Sequence, residues 1–111
     1  MMSSRISSGT AYILEYIKIV DFVLKSGKAI YTGREFRRYL LVPRQTLDQL
    51  MNKNQFDTIE NKLEYWKQLK WIDTDGDRYT KKVTVNGKRI RMVKIDTAVY
   101  RALTELFDDL L

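Results

Sequence analysis

The sequence predicts an α+β fold, in which a helical core carries a small antiparallel β-hairpin. Apolar residues recur at helical spacing in several stretches of the 111-residue chain, which predicts amphipathic helices. Two capping-box patterns, Thr32 with Glu35 and Asp57 with Glu60, predict where helices begin. The run Val83-Thr84-Val85-Asn86-Gly87-Lys88-Arg89-Ile90 contains two β-rich segments joined by Asn-Gly, a dipeptide that tolerates the positive φ angles of a type I′ turn.

We expect a Ser-rich flexible leader over residues 1–9, followed by a single domain over residues 10–111. Residues 10–25 form a helix by their apolar spacing, and Gly27 is a plausible stop. The apolar residues 29–31 form a short strand that pairs with the hairpin. The first capping box opens a short helix that ends near Leu40, before Val42-Pro43 forces the chain into an extended conformation.

Pro43 suits the first turn of a new helix, which continues through Met51 to a polar turn at residues 52–56. The second capping box opens a longer helix over residues 57–70, whose buried face is Ile59, Leu63, Trp66 and Leu69. Residues 73–77 form a loop in which we expect solvated acids and no metal. After the hairpin, Asp96 or Thr97 caps a final helix.

The positive charge of the chain is concentrated in the hairpin. The chain carries 20 Lys and Arg against 14 Asp and Glu, a net charge of +6. Residues 78–95 contain seven of the basic residues and no acid, so the rest of the chain has a net charge of −1. A hairpin with this charge predicts a polyanionic ligand, and nucleic acid is the leading candidate.

Composition narrows the function classes. The chain has no Cys and no His, which removes disulfides, zinc fingers and the usual nucleophile and general-base centres. It has no Gly-rich phosphate loop, so we expect a protein that is not an enzyme and that binds no cofactor. We also expect a cytoplasmic protein with no signal peptide and no membrane-spanning segment.

Strand alternation assigns the two faces of the hairpin. With a two-residue turn at Asn86-Gly87, Lys82, Thr84, Arg89 and Arg91 share one face. Val83, Val85, Ile90 and Met92 share the other. Lys82 opposite Arg91 is a like-charge pair that is unfavourable unless an anion lies between them. A solvated edge protected by lysines is the competing interpretation, but it does not account for the lack of acids.

Residues 43–95 resemble the winged helix-turn-helix family in their order and spacing. A short helix at 44–51, a turn at 52–56, a longer helix at 57–70 and a two-stranded wing follow one another. The stretch TIENKLEYWKQLKWI is similar to the family's recognition helix entering the first wing strand. With the preceding segments, the resemblance covers about nine tenths of the chain. An alternative helix-turn-helix pair is formed by residues 34–41 and 44–50. The pair at 44–51 and 57–70 is preferred because the wing follows it directly.

The resemblance implies a recognition helix in the major groove and a wing on the DNA backbone. The outward positions of the helix are Thr58, Asn61, Lys62 and Tyr65, and the wing contacts are Arg78, Lys81, Lys82, Thr84, Asn86, Lys88, Arg89, Arg91 and Lys94. The charges of residues 57–70 sum to zero, so an ordinary amphipathic core helix with a solvated polar face fits the same pattern.

The predicted function is sequence-specific binding of double-stranded DNA. A chain of this size, similar to small mobile-element proteins, fits an accessory factor in conjugative transfer or replication of a plasmid or phage, within a larger DNA-processing complex, or a small transcriptional regulator. We expect a homodimer through Val99, Leu103, Leu106, Phe107 and Leu110 of the last helix, unless these residues close the monomer's own core. The alternative is a winged-helix protein-interaction module that docks a partner on the apolar face of the hairpin.

Overall fold

The computed structural model describes residues 2–26, 30–32 and 38–110, with the side chains of residues 9–26 and 38–106. The described part of the chain forms helices α1 to α4 and strands β1 to β5. In chain order these are α1 (Met2–Lys25), β1 (Ile30–Thr32), β2 (Tyr39–Val42), α2 (Arg44–Met51), α3 (Ile59–Gln68), β3 (Ile72–Asp73), β4 (Lys81–Val85), β5 (Lys88–Asp96) and α4 (Thr97–Leu110). The α+β winged helix-turn-helix fold predicted from the sequence is confirmed.

The long strand β5 organises the antiparallel sheet. Its C-terminal half lies between β2 and β3, with Leu40 and Ile72 both paired with Ile95. Its N-terminal half pairs with β4 alone and forms the hairpin. β1 pairs with the far side of β2. One continuous strand therefore joins the sheet beneath the helices to the projecting wing.

The core lies between α1, α2, α3 and one face of the sheet. Its largest fully buried side chains include Trp66 and Tyr16, and their rings meet edge to face with centroids 5.1 Å apart. Trp71 packs against both rings. Both tryptophans are therefore core residues, as the helical spacing predicts for Trp66. Tyr16 also donates a hydrogen bond to the Asp96 carbonyl (2.7 Å), next to the start of α4.

The helix-turn-helix is the pair α2 and α3. α2 begins directly after Pro43. α3 is capped by Thr58, whose hydroxyl accepts a hydrogen bond from the Asn61 backbone N–H (3.1 Å). The predicted cap at Asp57 is therefore wrong by one residue. The Asp57 carboxylate instead accepts from the Thr58 N–H (2.8 Å).

Three expectations about the first half of the chain need correction. α1 begins at Met2 rather than residue 10, although the flexibility of residues 1–9 stays a prediction. β1 pairs with β2 instead of the hairpin. The predicted helix that ends near Leu40 is contradicted at its described residues, because Thr32 belongs to β1 and residues 39–42 form β2, in which Leu40, Leu41 and Val42 are buried. The strand also contradicts the C-terminal end of the alternative first helix over residues 34–41, and residues 33–37 lie outside the described part of the chain.

Some predictions lie outside the described residues, namely the stop at Gly27 and the capping-box residues Gly33 and Glu35. Within the described residues, no helix is long and apolar enough to cross a membrane.

Candidate nucleic-acid interface

The hairpin forms with the predicted turn and register. Asn86 and Gly87 have φ angles of 52° and 79°, the left-handed pair that a type I′ turn requires. Across the turn Val85 pairs with Lys88, and further from it Lys82 pairs with Arg91. Both predictions are therefore confirmed.

The two faces of the hairpin differ as alternation predicts. Lys82, Thr84, Arg89 and Arg91 are exposed. On the other face, Val83 and Met92 are buried in a small cluster with Leu41, while Val85 is partly buried. Ile90, nearer the turn, is 40% exposed. The wing thus has a polar cationic face and an apolar face whose inner half is already covered within the chain.

The loop after β3 supplies acids to the base of the wing. Asp75 accepts a hydrogen bond from the Lys82 backbone N–H (2.9 Å) and one from the Arg91 guanidinium (3.3 Å), and it lies 3.4 Å from the Lys81 ammonium. The Lys82 N–H, followed by the neighbouring cations, lowers the pKa of Asp75. Asp73 pairs with Lys94 (3.1 Å) and with Lys81 (3.6 Å).

These contacts correct the expectation that the wing cations lack any compensating acid and that the acids of residues 73–77 are merely solvated. The carboxylate of Asp75 is itself an anion at the like-charge pair of Lys82 and Arg91. Within the described residues no group of acids is arranged to hold a metal ion.

Four of the predicted wing cations are free of ion pairs. Arg78, Lys82, Lys88 and Arg89 are exposed and form no ion pair with any residue that the structure describes. Lys81, Arg91 and Lys94 are paired. Unpaired positive charge therefore lies beside the turn, at Lys88 and Arg89, and at Arg78 and Lys82, before and near the start of β4.

Lys62 lies in the interior, and the prediction that it points outward from the recognition helix is wrong. Its ammonium donates to Glu15 on α1 (2.8 Å), to the Met51 carbonyl at the end of α2 (2.7 Å) and to the Asn54 carbonyl in the turn. Lys62 is 0% exposed. Burial raises the pKa of Glu15, although the Lys62 ammonium opposes that shift. Lys62 therefore joins α1, α2 and α3 and is not available to DNA.

Tyr65 is also more enclosed than predicted. Its ring stacks on Tyr12 at a centroid distance of 3.9 Å and meets the edge of Trp71 at 5.5 Å. The Tyr12 hydroxyl donates to Asp57, and burial together with this bond raises the pKa of Tyr12 to about 12. Tyr65 is thus half-buried in an aromatic cluster at the edge of α3.

The solvent face of α3 carries acids and amides. Thr58, Glu60, Asn61 and Gln68 are exposed, and Glu64 and Lys67 are partly exposed. Two of the four predicted contacts, Thr58 and Asn61, are therefore accessible. The predicted buried residue Leu69 is 48% exposed, because α3 ends at Gln68.

Tyr79 joins α3 to the wing and was missed in the sequence. Its hydroxyl donates to Glu64 (3.0 Å), and Arg44 and Lys67 each lie 5.7 Å from its ring centroid. Arg44, at the start of α2, also pairs with Asp48 (2.8 Å). A single aromatic residue between the cations of residues 78–82 was the signal that could have pointed to this contact.

The order of α2, a turn, α3 and the wing is that of a helix-turn-helix protein. Comparison with known protein families supports this: the family model of the Cch helix turn helix domain matches residues 23–99. The chain belongs to this family. The Cch helix-turn-helix domain thus spans β1 to β5 and the start of α4, and membership in this helix-turn-helix family indicates DNA binding. No curated protein matches the chain.

Most of α4 lies beyond the matched Cch domain. Val99 and Leu103, two of the predicted dimer residues, pack against the core of their own chain. Tyr100 donates to Asp21 of α1 (3.1 Å). Leu106 is 54% exposed, whereas the side chains of Phe107 and Leu110 are outside the described set. The start of α4 therefore closes the monomer core.

Proposed function

We propose that the protein binds double-stranded DNA sequence-specifically, with the unpaired cations of the wing supplying most of the affinity. The observation that carries the proposal is the group of unpaired, exposed cations at Arg78, Lys82, Lys88 and Arg89. Each such cation that reaches a phosphate releases condensed counterions, and this release is the main sequence-independent contribution to binding duplex DNA.

The wing and α3 are assigned different roles in DNA binding because their charges differ. The solvent face of α3 carries Glu60 and Glu64 against Lys67, and its other central lysine is buried. Such a face contributes little non-specific attraction to phosphates. It is suited to contacts with base edges once the wing has anchored the domain, and Asn61 is the predicted base contact that remains exposed.

The paired wing cations, Lys81, Arg91 and Lys94, are secondary contacts in this proposal. Asp73 and Asp75 already neutralise them, so a phosphate gains less by approaching them than by approaching Lys82 or Arg89. The wing also exposes Thr84 and Asn86. These uncharged side chains can donate hydrogen bonds to the sugar-phosphate backbone of the DNA.

The biological role that we propose is to mark a DNA site for other proteins. An accessory factor in plasmid or phage DNA processing, in conjugative transfer or replication, fits the composition of the chain, and a transcriptional regulator is the other form of the same role. The position of the bound sequence in its source genome tests this. A site beside an origin of transfer or replication favours the first form, and a site that overlaps a promoter favours the second.

We also propose that two copies of the chain form a homodimer through the exposed face of α4. One wing and one recognition helix offer a small interface, and two half-sites raise affinity. Leu106 is the exposed apolar residue that supports this contact, since Val99 and Leu103 are engaged in the core.

The alternative, a protein-interaction module, requires the apolar face of the hairpin to be free. Val83 and Met92 are already buried against Leu41, which leaves Ile90 and part of Val85 for a partner. The structure of the wing therefore favours DNA over a docked protein.

Selection of bound duplexes from a random pool tests the function directly. We expect one enriched sequence, bound about a thousandfold or more tighter than random duplex at physiological salt. Equal affinity for all duplexes would leave only a non-specific binder, and no binding to duplex DNA would refute the proposal.

A further inference from the structure

Three polar residues form one stripe on the outward face of α3. Asn61, Glu64 and Gln68 are three and four residues apart, which places them above one another on the same side of a helix. Asn61 and Gln68 are exposed and Glu64 is partly exposed. The stripe lies opposite the buried residues Leu63 and Trp66.

The hydrogen bonds within this stripe leave its amide oxygens as acceptors. The Asn61 amide nitrogen donates to Asp57 (2.9 Å), and the Gln68 amide nitrogen donates to Glu64 (2.6 Å). Each amide therefore commits one N–H to a carboxylate of its own chain and keeps its carbonyl oxygen as an acceptor and its second N–H as a donor, the two groups that pair with adenine. Glu64 is held by Gln68 and by the Tyr79 hydroxyl, and these bonds lower its pKa, so that it is ionised and can only accept.

The stripe contains no cation. Lys62 is buried, and Lys67 lies to one side, near the Tyr79 ring. Arg and Lys are the usual partners of guanine, which presents acceptors in the major groove, whereas Asn, Gln and Glu pair with the amino groups of adenine and cytosine.

We propose that α3 reads exocyclic amino groups in the major groove, with Glu64 accepting from cytosine and with Asn61 and Gln68 accepting from adenine or cytosine on either side. This inference rests on the proposed DNA binding and specifies the sequence class. Seven residues of helix rise about 10 Å, which corresponds to about three base pairs. The acidic charge of the helix then serves selectivity, at a cost in affinity that the wing offsets.

Selection from a random duplex pool with three proteins tests the proposal. They are the wild type, Glu64→Gln, and Glu60→Gln as a control with the same charge change at an exposed position outside the stripe. Glutamine keeps the shape of glutamate and can pair with adenine in two hydrogen bonds. We expect cytosine at one position for the wild type and for Glu60→Gln, and adenine at that position for Glu64→Gln.

The affinities should follow the selection. Replacing the selected cytosine with thymine should weaken the wild type about tenfold or more and Glu64→Gln much less. An unchanged selected sequence in Glu64→Gln would overturn the proposal while leaving DNA binding intact, as would selection of guanine alone across these positions. Absence of any duplex binding by the wild type would overturn the proposed function and this inference together.

Discussion

At the scale of single residues, Lys62 shows where the sequence misleads. The burial of Ile59, Leu63 and Trp66 was predicted from their helical spacing, but a lysine next to these residues is normally assigned to the solvent face of the helix. Its charge is tolerated because Glu15 and two backbone carbonyls accept its three donors. None of these partners is near Lys62 in sequence, so only the packing of α1 against the helix-turn-helix reveals the pair.

Replacing Lys62 with Met should destabilise the protein by about 3–5 kcal/mol, because the Glu15 carboxylate would be left buried without its partner. The double variant Glu15→Leu with Lys62→Met should recover much of that loss. Urea unfolding measures both, and Lys67→Met, on the partly exposed side of α3, is the control, with an expected change within about 0.5 kcal/mol. Additive effects of the two single changes would contradict the pair.

The lowered pKa of Asp57 predicts that the folded protein loses stability in acid. Hydrogen bonds from Tyr12 and Asn61 lower its pKa in the folded state. A pKa below the unfolded value adds stability above the unfolded pKa, and that stability is lost as pH falls through the folded pKa. Asp57→Asn should therefore lose less stability than the wild type between about pH 5 and 2, as measured by urea midpoints. Identical pH profiles would show that these bonds do not favour the ionised carboxylate.

At the scale of elements, the wing was the part best predicted from the sequence. Asn86-Gly87 specifies its turn chemically, and alternation then assigns its faces, so both follow from local rules. The acids that neutralise its base were not predicted. Asp73 and Asp75 reach the wing because β3 and β4 pair with successive segments of β5, which is a matter of topology rather than of local sequence.

Removing the charge of Asp75 should strengthen DNA binding. Asp75→Asn releases Arg91 and Lys81 for phosphates, so the salt dependence should steepen by about one unit and the affinity should rise severalfold at low salt. Asp77→Asn is the control, since Asp77 lies two residues along the same loop and pairs with no described cation. Fluorescence anisotropy at several salt concentrations measures both. Equal salt slopes for the two variants would argue against competition between Asp75 and DNA.

At the scale of the whole molecule, the order of helices and wing was predicted, and the path of the sheet was not. The capping-box pattern at Thr32 predicts a helix that ends near Leu40, but residues 39–42 form β2. Their apolar side chains fill the space beside β5, and this tertiary pairing overrides the local signal. The same dependence on packing explains α4, where Val99 and Leu103 complete the core instead of serving only a second subunit.

The proposed dimer predicts distinct effects for two leucines of α4. Leu106→Asp should give a folded monomer with weakened DNA binding, because this side chain is 54% exposed. Leu103→Asp should instead destabilise the fold, because it places a charge against the core. Sedimentation at micromolar concentration and circular dichroism separate these outcomes. A wild type that sediments as a monomer near 13.2 kDa would exclude this dimer.

The claim that the unpaired cations of the wing anchor the protein to DNA is tested most directly by two double variants, each with one change on β4 and one on β5. Lys82→Ala with Arg89→Ala removes two unpaired cations, and Lys81→Ala with Lys94→Ala removes two that pair with Asp73 and Asp75. In salt titrations on one duplex, removing the unpaired cations should lower the slope by about two units, and removing the paired cations should lower it by less than about one. Equal slopes for the two double variants, or a larger loss when the paired cations are removed, would contradict the account.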